Sequence, residues 1–154
     1  ALEFFDRTYD YQIPLVVFSS SAIGEAIPLY FRKINKNYNN IHIVTNSMVY
    51  DKNGNAIAIK EPVIHVFNKG EIALNGLPIM KEMKNKKNVI LLGDSLGDLD
   101  MVQGFKYDNL LKIGFYNYKE ESLEDFKKYF DVIILNDGNM DFINKLLKQF
   151  IAIK

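Results

Sequence analysis

The residues best suited to chemistry in this sequence are carboxylates, serines and one lysine, and each group follows an apolar run. Asp94 and Asp98 stand in Gly93-Asp94-Ser95-Leu96-Gly97-Asp98-Leu99-Asp100, directly after Val89-Ile90-Leu91-Leu92. Carboxylate oxygens are the hard ligands that Mg²⁺ prefers, so this loop reads as a metal site. Gly93 and Gly97 allow the backbone to turn tightly. The same residues also suit a helix start near Ser95, where aspartates would act only as caps. Ser19-Ser20-Ser21 follows Leu15-Val16-Val17-Phe18 and precedes Ala22-Ile23-Gly24-Glu25. Hydroxyls and the first amides of a following helix would cradle an anion, although a single capping serine would also explain the pattern. Lys69 ends Val63-Ile64-His65-Val66-Phe67-Asn68-Lys69-Gly70. It would neutralise phosphate charge, or it would be one more solvated lysine.

Ser95 has a competing reading as a nucleophile, because Gly-Asp-Ser-Leu is also a signature of serine esterases. Such a serine needs a histidine base oriented by a carboxylate. The only histidines, His42 and His65, both precede Ser95 and sit in apolar runs, where packing against neighbours accounts for them.

The elements that must position these groups alternate along the chain. Short continuous apolar runs at Leu15–Phe18, Ile41–Val44, Val89–Leu92, Leu110–Phe115 and Val132–Leu135 suit strands buried on both faces of a parallel sheet. Amphipathic stretches at Gly24–Ile34, Ile72–Met83, Ser122–Tyr129 and Met140–Ile151 read as helices. This alternation predicts a doubly wound, mainly parallel α/β sheet, with ligands at the carboxyl ends of its strands. Met48–Tyr50 and Ala56–Ile59, joined through Asn53-Gly54, interrupt it as a β-hairpin insertion. The Asn- and Lys-rich segments Asn35–Asn40 and Lys81–Asn88 read as surface loops.

Composition narrows the function. The 154 residues suit one domain, and 48% of them are hydrophobic, enough for a core. Lys+Arg and Asp+Glu number 19 each, so no basic surplus points to nucleic acid or to a membrane surface. Only Arg7 and Arg32 are arginines, which further argues against nucleic acid. The absence of cysteine excludes thiolate chemistry and Cys-ligated zinc, and it fits a cytoplasmic protein. No apolar run reaches the roughly 20 residues of a membrane span.

Taken in order, the serine segment, the lysine segment and the Asp-x-x-x-Asp loop resemble the haloacid dehalogenase-like (HAD-like) phosphatase superfamily. Within it the likeness is greatest to cytosolic pyrimidine 5′-nucleotidases. Their "FSAGIGD", "HVFNK" and "ILLGDSxGDLxM" segments are matched by Ser19–Glu25, His65–Lys69 and Ile90–Met101. Their "LKIGFxN"-like and "YDIVL"-like runs are matched by Leu111–Asn117 and Phe130–Leu135. The resemblance implies a Rossmann-like core and an Mg²⁺-dependent phosphatase that hydrolyses a nucleoside 5′-monophosphate or another small phosphate ester through an aspartyl phosphate. It places Ser20 and Ser21 at the phosphate-binding positions, Lys69 at the family's catalytic lysine, which also contacts phosphate, Asp94 at the metal-ligand position and Asp98 at the supporting acidic position. A register one residue earlier would put Ser19 in place of Ser20.

The family's nucleophile motif, Asp-x-Asp-x-Thr, does not occur in these residues, nor does the cap that reads the base. The start, Ala1-Leu2-Glu3-Phe4-Phe5-Asp6-Arg7, reads as the middle of a helix. Residues 1–154 are therefore expected to be the C-terminal part of a HAD-like phosphatase core, inactive alone. An N-terminal half of the same protein, or a swapped chain, is expected to fill a gap between the strand ending near Ser19 and the one ending at Leu92. A non-catalytic binding module derived from such an enzyme is the alternative.

Overall fold

The computed structural model describes residues 1–65, 68–70, 79–83, 85–117 and 122–152. The elements run α1 (Leu2–Asp10), β1 (Leu15–Ser19), α2 (Ala26–Lys33), β2 (Ile41–Thr45), β3 (Met48–Tyr50), β4 (Ala56–Ile59) and α3 (Ile79–Met83). They continue with β5 (Asn88–Gly93), a 3₁₀ segment (Leu96–Val102), β6 (Asn109–Tyr116), α4 (Leu123–Tyr129), β7 (Val132–Leu135) and α5 (Asp141–Ala152). All five apolar runs form strands, and β1, β2, β5 and β6 each extend one residue beyond a predicted limit. Of the predicted helix Ile72–Met83, only Ile79–Met83 falls among the described residues.

The parallel strands form two groups rather than one sheet. β1 pairs in parallel with β2, from Leu15↔Ile41 to Ser19↔Thr45. β5, β6 and β7 form a three-stranded parallel sheet in that order. Strands β1 and β5 are not paired with each other, so each has one edge without a strand partner among the described residues. The hairpin β3–β4 is antiparallel, with its register shifting between Val49 and Tyr50. Its turn needs Gly54, whose φ of 83° lies in the left-handed region.

Side-chain alternation along the strands builds a layer on each face. On one face Leu15, Ile90, Leu92, Leu111 and Val132 pack around Phe4 of α1, Ile113 of β6, and Ile143 and Leu147 of α5. On the other, Val16 and Phe18 of β1 meet Val44, Ile64, Met80 and Phe105. Ile113 and Ile143 are wholly buried. Burying a side chain of that size stabilises by about 1.5–3 kcal/mol. β1 contributes to both layers, through Leu15 at its start on one face and Val16 and Phe18 on the other.

One sequence expectation fails here. Asn40 was placed in a surface loop, but it is buried. Its amide Nδ2 donates to Ile13 O at 2.9 Å, and Leu15 N donates to Asn40 O at 2.8 Å. It thereby fastens the turn before β1 to the turn before β2, where a buried backbone carbonyl needs a donor.

Candidate active site

The carboxyl ends of β1 and β5 open into one cleft of about 440 Å³. Ser19 and Ser20 line it from the β1 side, and Gly93, Asp94 and Asp98 from the β5 side. Lys69 joins them, and Phe18, Leu92, Met101 and Phe115 supply apolar wall. Three segments that are far apart in sequence thus meet where an open α/β sheet presents its ligand site.

Asp98 is the most constrained of these groups, 4% exposed. Its Oδ1 accepts from Lys69 Nζ at 2.6 Å. Its Oδ2 accepts the backbone N–H groups of Asp94 at 2.8 Å and Ser95 at 3.1 Å. The two sequence readings of this loop therefore meet in one side chain. Asp98 caps the chain where Ser95 starts the 3₁₀ segment, and it also holds the lysine. Gly93 makes this possible: a Cβ there would lie 2.6 Å from Asp98 Cβ and 2.9 Å from its Oδ2. Asp94 is exposed at the cleft mouth.

The serine loop is stabilised by its own hydroxyls. Ser19 Oγ accepts from Ser21 N–H, and Ser21 Oγ accepts from Ile23 N–H, both at 3.2 Å. Ser19 and Ser20 face the cleft, whereas Ser21 is exposed and does not line it. The helix behind the loop starts at Ala26, later than the Gly24 start read from sequence. The amides of Ala26 and Ile27 are taken by Ile23 O and Gly24 O, each at 3.0 Å. Glu25, just before α2, was not singled out from sequence. Its Oε1 accepts from Met48 N at 3.2 Å and its Oε2 from Tyr50 Oη at 2.6 Å. This carboxylate ties the hairpin to the serine loop and pushes the Tyr50 phenol above its usual pKa.

Lys69 is 9% exposed, so the solvated-lysine reading does not hold. Asn68 shapes the turn ahead of it: Asn68 Oδ1 accepts from His65 N at 2.7 Å, and Nδ2 donates to Val63 O at 2.8 Å. Val66 and Phe67 of the predicted lysine segment lie outside the described residues.

Neither histidine lines the cleft beside Ser95. His42 on β2 stands 3.6 Å from Glu82 Oε2. His65 is exposed, contrary to the packed position expected from its apolar neighbours. Ile64 beside it is buried, and a strand-like run that ends in a turn does not bury every residue.

Among the described residues no group of three or more metal-ligating side chains is gathered. Asp94 supplies one carboxylate at the cleft, while both oxygens of Asp98 are already engaged. No helix among the described residues is long and apolar enough to cross a membrane.

A model of the family described as pyrimidine 5′-nucleotidase (UMPH-1) matches residues 1–151. The chain is 34% identical over 151 residues to a 7-methylguanosine phosphate-specific 5′-nucleotidase of Gallus gallus, covering 97% of this chain and 52% of the relative. It is 37% identical over 151 residues to the human protein of the same description, covering 97% of this chain and 50% of that one. The chain thus spans about half the length of the curated relatives it matches. Its fold is similar to that in a crystal structure of cytosolic 5′-nucleotidase IIIB bound to cytidine. The TM-score is 0.84 at 28% identity, over 99% of this chain and 53% of the other.

Proposed function

Because this chain belongs to the pyrimidine 5′-nucleotidase (UMPH-1) family, we propose that it carries the phosphate-holding half of a nucleoside 5′-monophosphate phosphatase. The observation that carries this reading is the buried Lys69–Asp98 pair, set beside Ser20 and Asp94 at the mouth of one cleft. A buried charge pair costs desolvation, so it is weak evidence for a stabilising role. Here it holds an ammonium group at the site where a phosphate would sit.

In this reading Ser20, with Ser21 behind it in the same loop, binds phosphate oxygens, and Lys69 offsets their negative charge as ester cleavage proceeds. Asp94 would hold Mg²⁺, which when bound supplies a charge that neutralises phosphate oxygens. Asp98 supports that site from behind, fixing Lys69 and the Asp94 backbone. The donors fit the ion only in part, because both oxygens of Asp98 are engaged and Asp94 is the one other carboxylate among the described residues that line the cleft. The remaining donors and the nucleophile would come from a strand lying between β1 and β5. An aspartate on it would attack phosphorus and the ester P–O bond would break. The nucleoside would leave with a proton, and water would then release inorganic phosphate from the aspartyl phosphate. That strand belongs to the N-terminal half of the same protein or to a swapped chain. The isolated chain should therefore neither turn over substrate nor hold Mg²⁺ tightly. The base is a pyrimidine or 7-methylguanine, and the compartment is the cytoplasm.

The test is phosphate release from CMP, UMP and 7-methyl-GMP by the full-length protein, with Mg²⁺ and with EDTA. Release with Mg²⁺, abolished in Lys69→Met, is expected. Failure to release phosphate from any of the three would overturn the assignment. Turnover by the isolated chain would overturn the split of the site.

A further inference from the structure

Asn46 lies just beyond β2 and lines no part of the cleft, yet it is 3% exposed with its side chain fully employed. Its Nδ2 donates to Ser20 O at 3.2 Å and to Ile64 O at 2.8 Å. Its Oδ1 accepts from Ile64 N at 2.8 Å. A primary amide has two donors and one acceptor atom, and all of them are spent on the backbones of two other segments. One is the serine loop and the other is the segment that leads, through the Asn68 turn, to Lys69.

The packing agrees. A Cβ on Gly24 would lie 2.4 Å from Asn46 O and 1.9 Å from Thr45 Oγ1. The back of the serine loop therefore rests directly on residues 45 and 46. Neither of its nearest chemical relatives fits the Asn46 position. Aspartate has no donor for the two carbonyls, and in a dry setting an unmatched acceptor there is costly. Glutamine carries an extra methylene into a close-packed spot.

We infer that Asn46 is the positioning residue that sets the Ser20 loop against the Lys69 segment. The inference rests on the reading of the cleft as a phosphate site, and it adds how two of its walls are kept in register. A site of this kind tolerates only about 0.5 Å of slack. Parts brought from residues 20 and 69 need a common support, and Asn46 contacts both segments. Lys69 in turn donates to Asp98, which accepts from the Asp94 backbone.

The test is a double-mutant cycle in the full-length protein, using kcat/KM for nucleotide hydrolysis. Ser20→Ala and Asn46→Asp are made singly and together, with Leu147→Ala on α5 as a buried control that does not line the cleft. Positioning through the loop predicts that Asn46→Asp lowers kcat/KM at a temperature where it remains folded. It also predicts that the double variant loses about tenfold less than the product of the single losses, in the range of measured couplings between connected residues. Leu147→Ala should lower the melting temperature while leaving kcat/KM unchanged. Independent losses, or full activity in Asn46→Asp, would overturn the inference.

A measurement on the unsubstituted protein covers the case in which Asn46→Asp does not fold. Titration with inorganic phosphate, followed by NMR, should shift the Asn46 side-chain amide and the Ile64 backbone amide together with Ser20 and Lys69. Shifts at Ser20 and Lys69 with none at Asn46 or Ile64 would overturn the inference alone. No shift at Ser20 or Lys69 would overturn the phosphate-site reading, and the inference with it.

Discussion

Two lysine–aspartate contacts in this chain show how differently the same pairing can be used. Lys69 and Asp98 meet at 2.6 Å, with side chains only 11% and 6% exposed. Lys36 pairs with Asp6 where α1 meets the turn before β2, and the Asp6 side chain is 40% exposed. Around the outer pair, Tyr38 Oη donates to Asp6 at 2.6 Å, and Tyr38 stacks on Tyr9 with ring centroids 4.2 Å apart. This outer cluster is a staple. Water screens its charges, and exposed pairs contribute little on their own. The inner pair is screened by protein, so each charge depends on the other. It also carries two backbone amides on the same carboxylate, and that distinguishes a buried support from a surface clasp.

Removing Asp98 should have the largest effect. Asp98→Ala strands the Lys69 ammonium and leaves the Asp94 and Ser95 amides without their acceptor. Breaking a buried pair costs about 3–5 kcal/mol, which denaturant titration would register. Lys69→Met should cost clearly less, since Asp98 keeps its two amide donors. Equal losses in the two variants would mean that the amide contacts add nothing.

A smaller effect is expected one residue before the loop. Gly93→Ala would push a methyl against Asp98, and overpacking of this kind costs about 1–3 kcal/mol. The variant should also weaken the hold on Lys69, seen as a change in phosphate binding by the full-length protein. An unchanged melting curve would show that Asp98 has room to move.

The smallest effect belongs to the outer pair. Hydrogen bonds from Lys36 and then Tyr38 hold the Asp6 carboxyl below its usual pKa. A lowered carboxylate contributes stability that is present above its unfolded value and lost as pH falls through its folded value. Asp6→Asn should therefore lower the melting temperature slightly at pH 7. The difference should begin to shrink near the ordinary aspartate pKa of about 3.9 and vanish below the folded value. A difference that persists in acid would assign the effect to packing rather than charge.

Much of this arrangement was legible in the residues. The five apolar runs became strands because each is short and continuous, although most of their side chains are half-buried and Leu135 is exposed, and Asn53-Gly54 gave the hairpin its turn. The acidic loop, the serine loop and Lys69 reached one cleft because each follows a strand or strand-like run. What stayed hidden depends on contacts between distant segments. Asn40 read as part of an Asn-rich surface loop, Asn46 carried no sequence signal of its own, and only tertiary structure shows which backbones they serve. The late start of α2 follows from the serine hydroxyls, which satisfy amides before the helix begins. Asp98 looked like either a cap or a ligand-side acid, because sequence spacing does not show that Lys69 arrives at its other oxygen.

Glu25 has a consequence for how the chain tolerates insertions. Its two oxygens hold the first strand of the hairpin and leave the turn alone. Extra residues near Asn53 would lengthen an exposed tip, and exposed tips accept insertions readily. One extra residue between Met48 and Tyr50 would instead flip Tyr50 to the opposite face, since strand side chains alternate. Glu25 would then lose its phenol partner at the base of the serine loop. Two insertions of equal size, only a few residues apart, would thus be silent in one case and reach the cleft in the other.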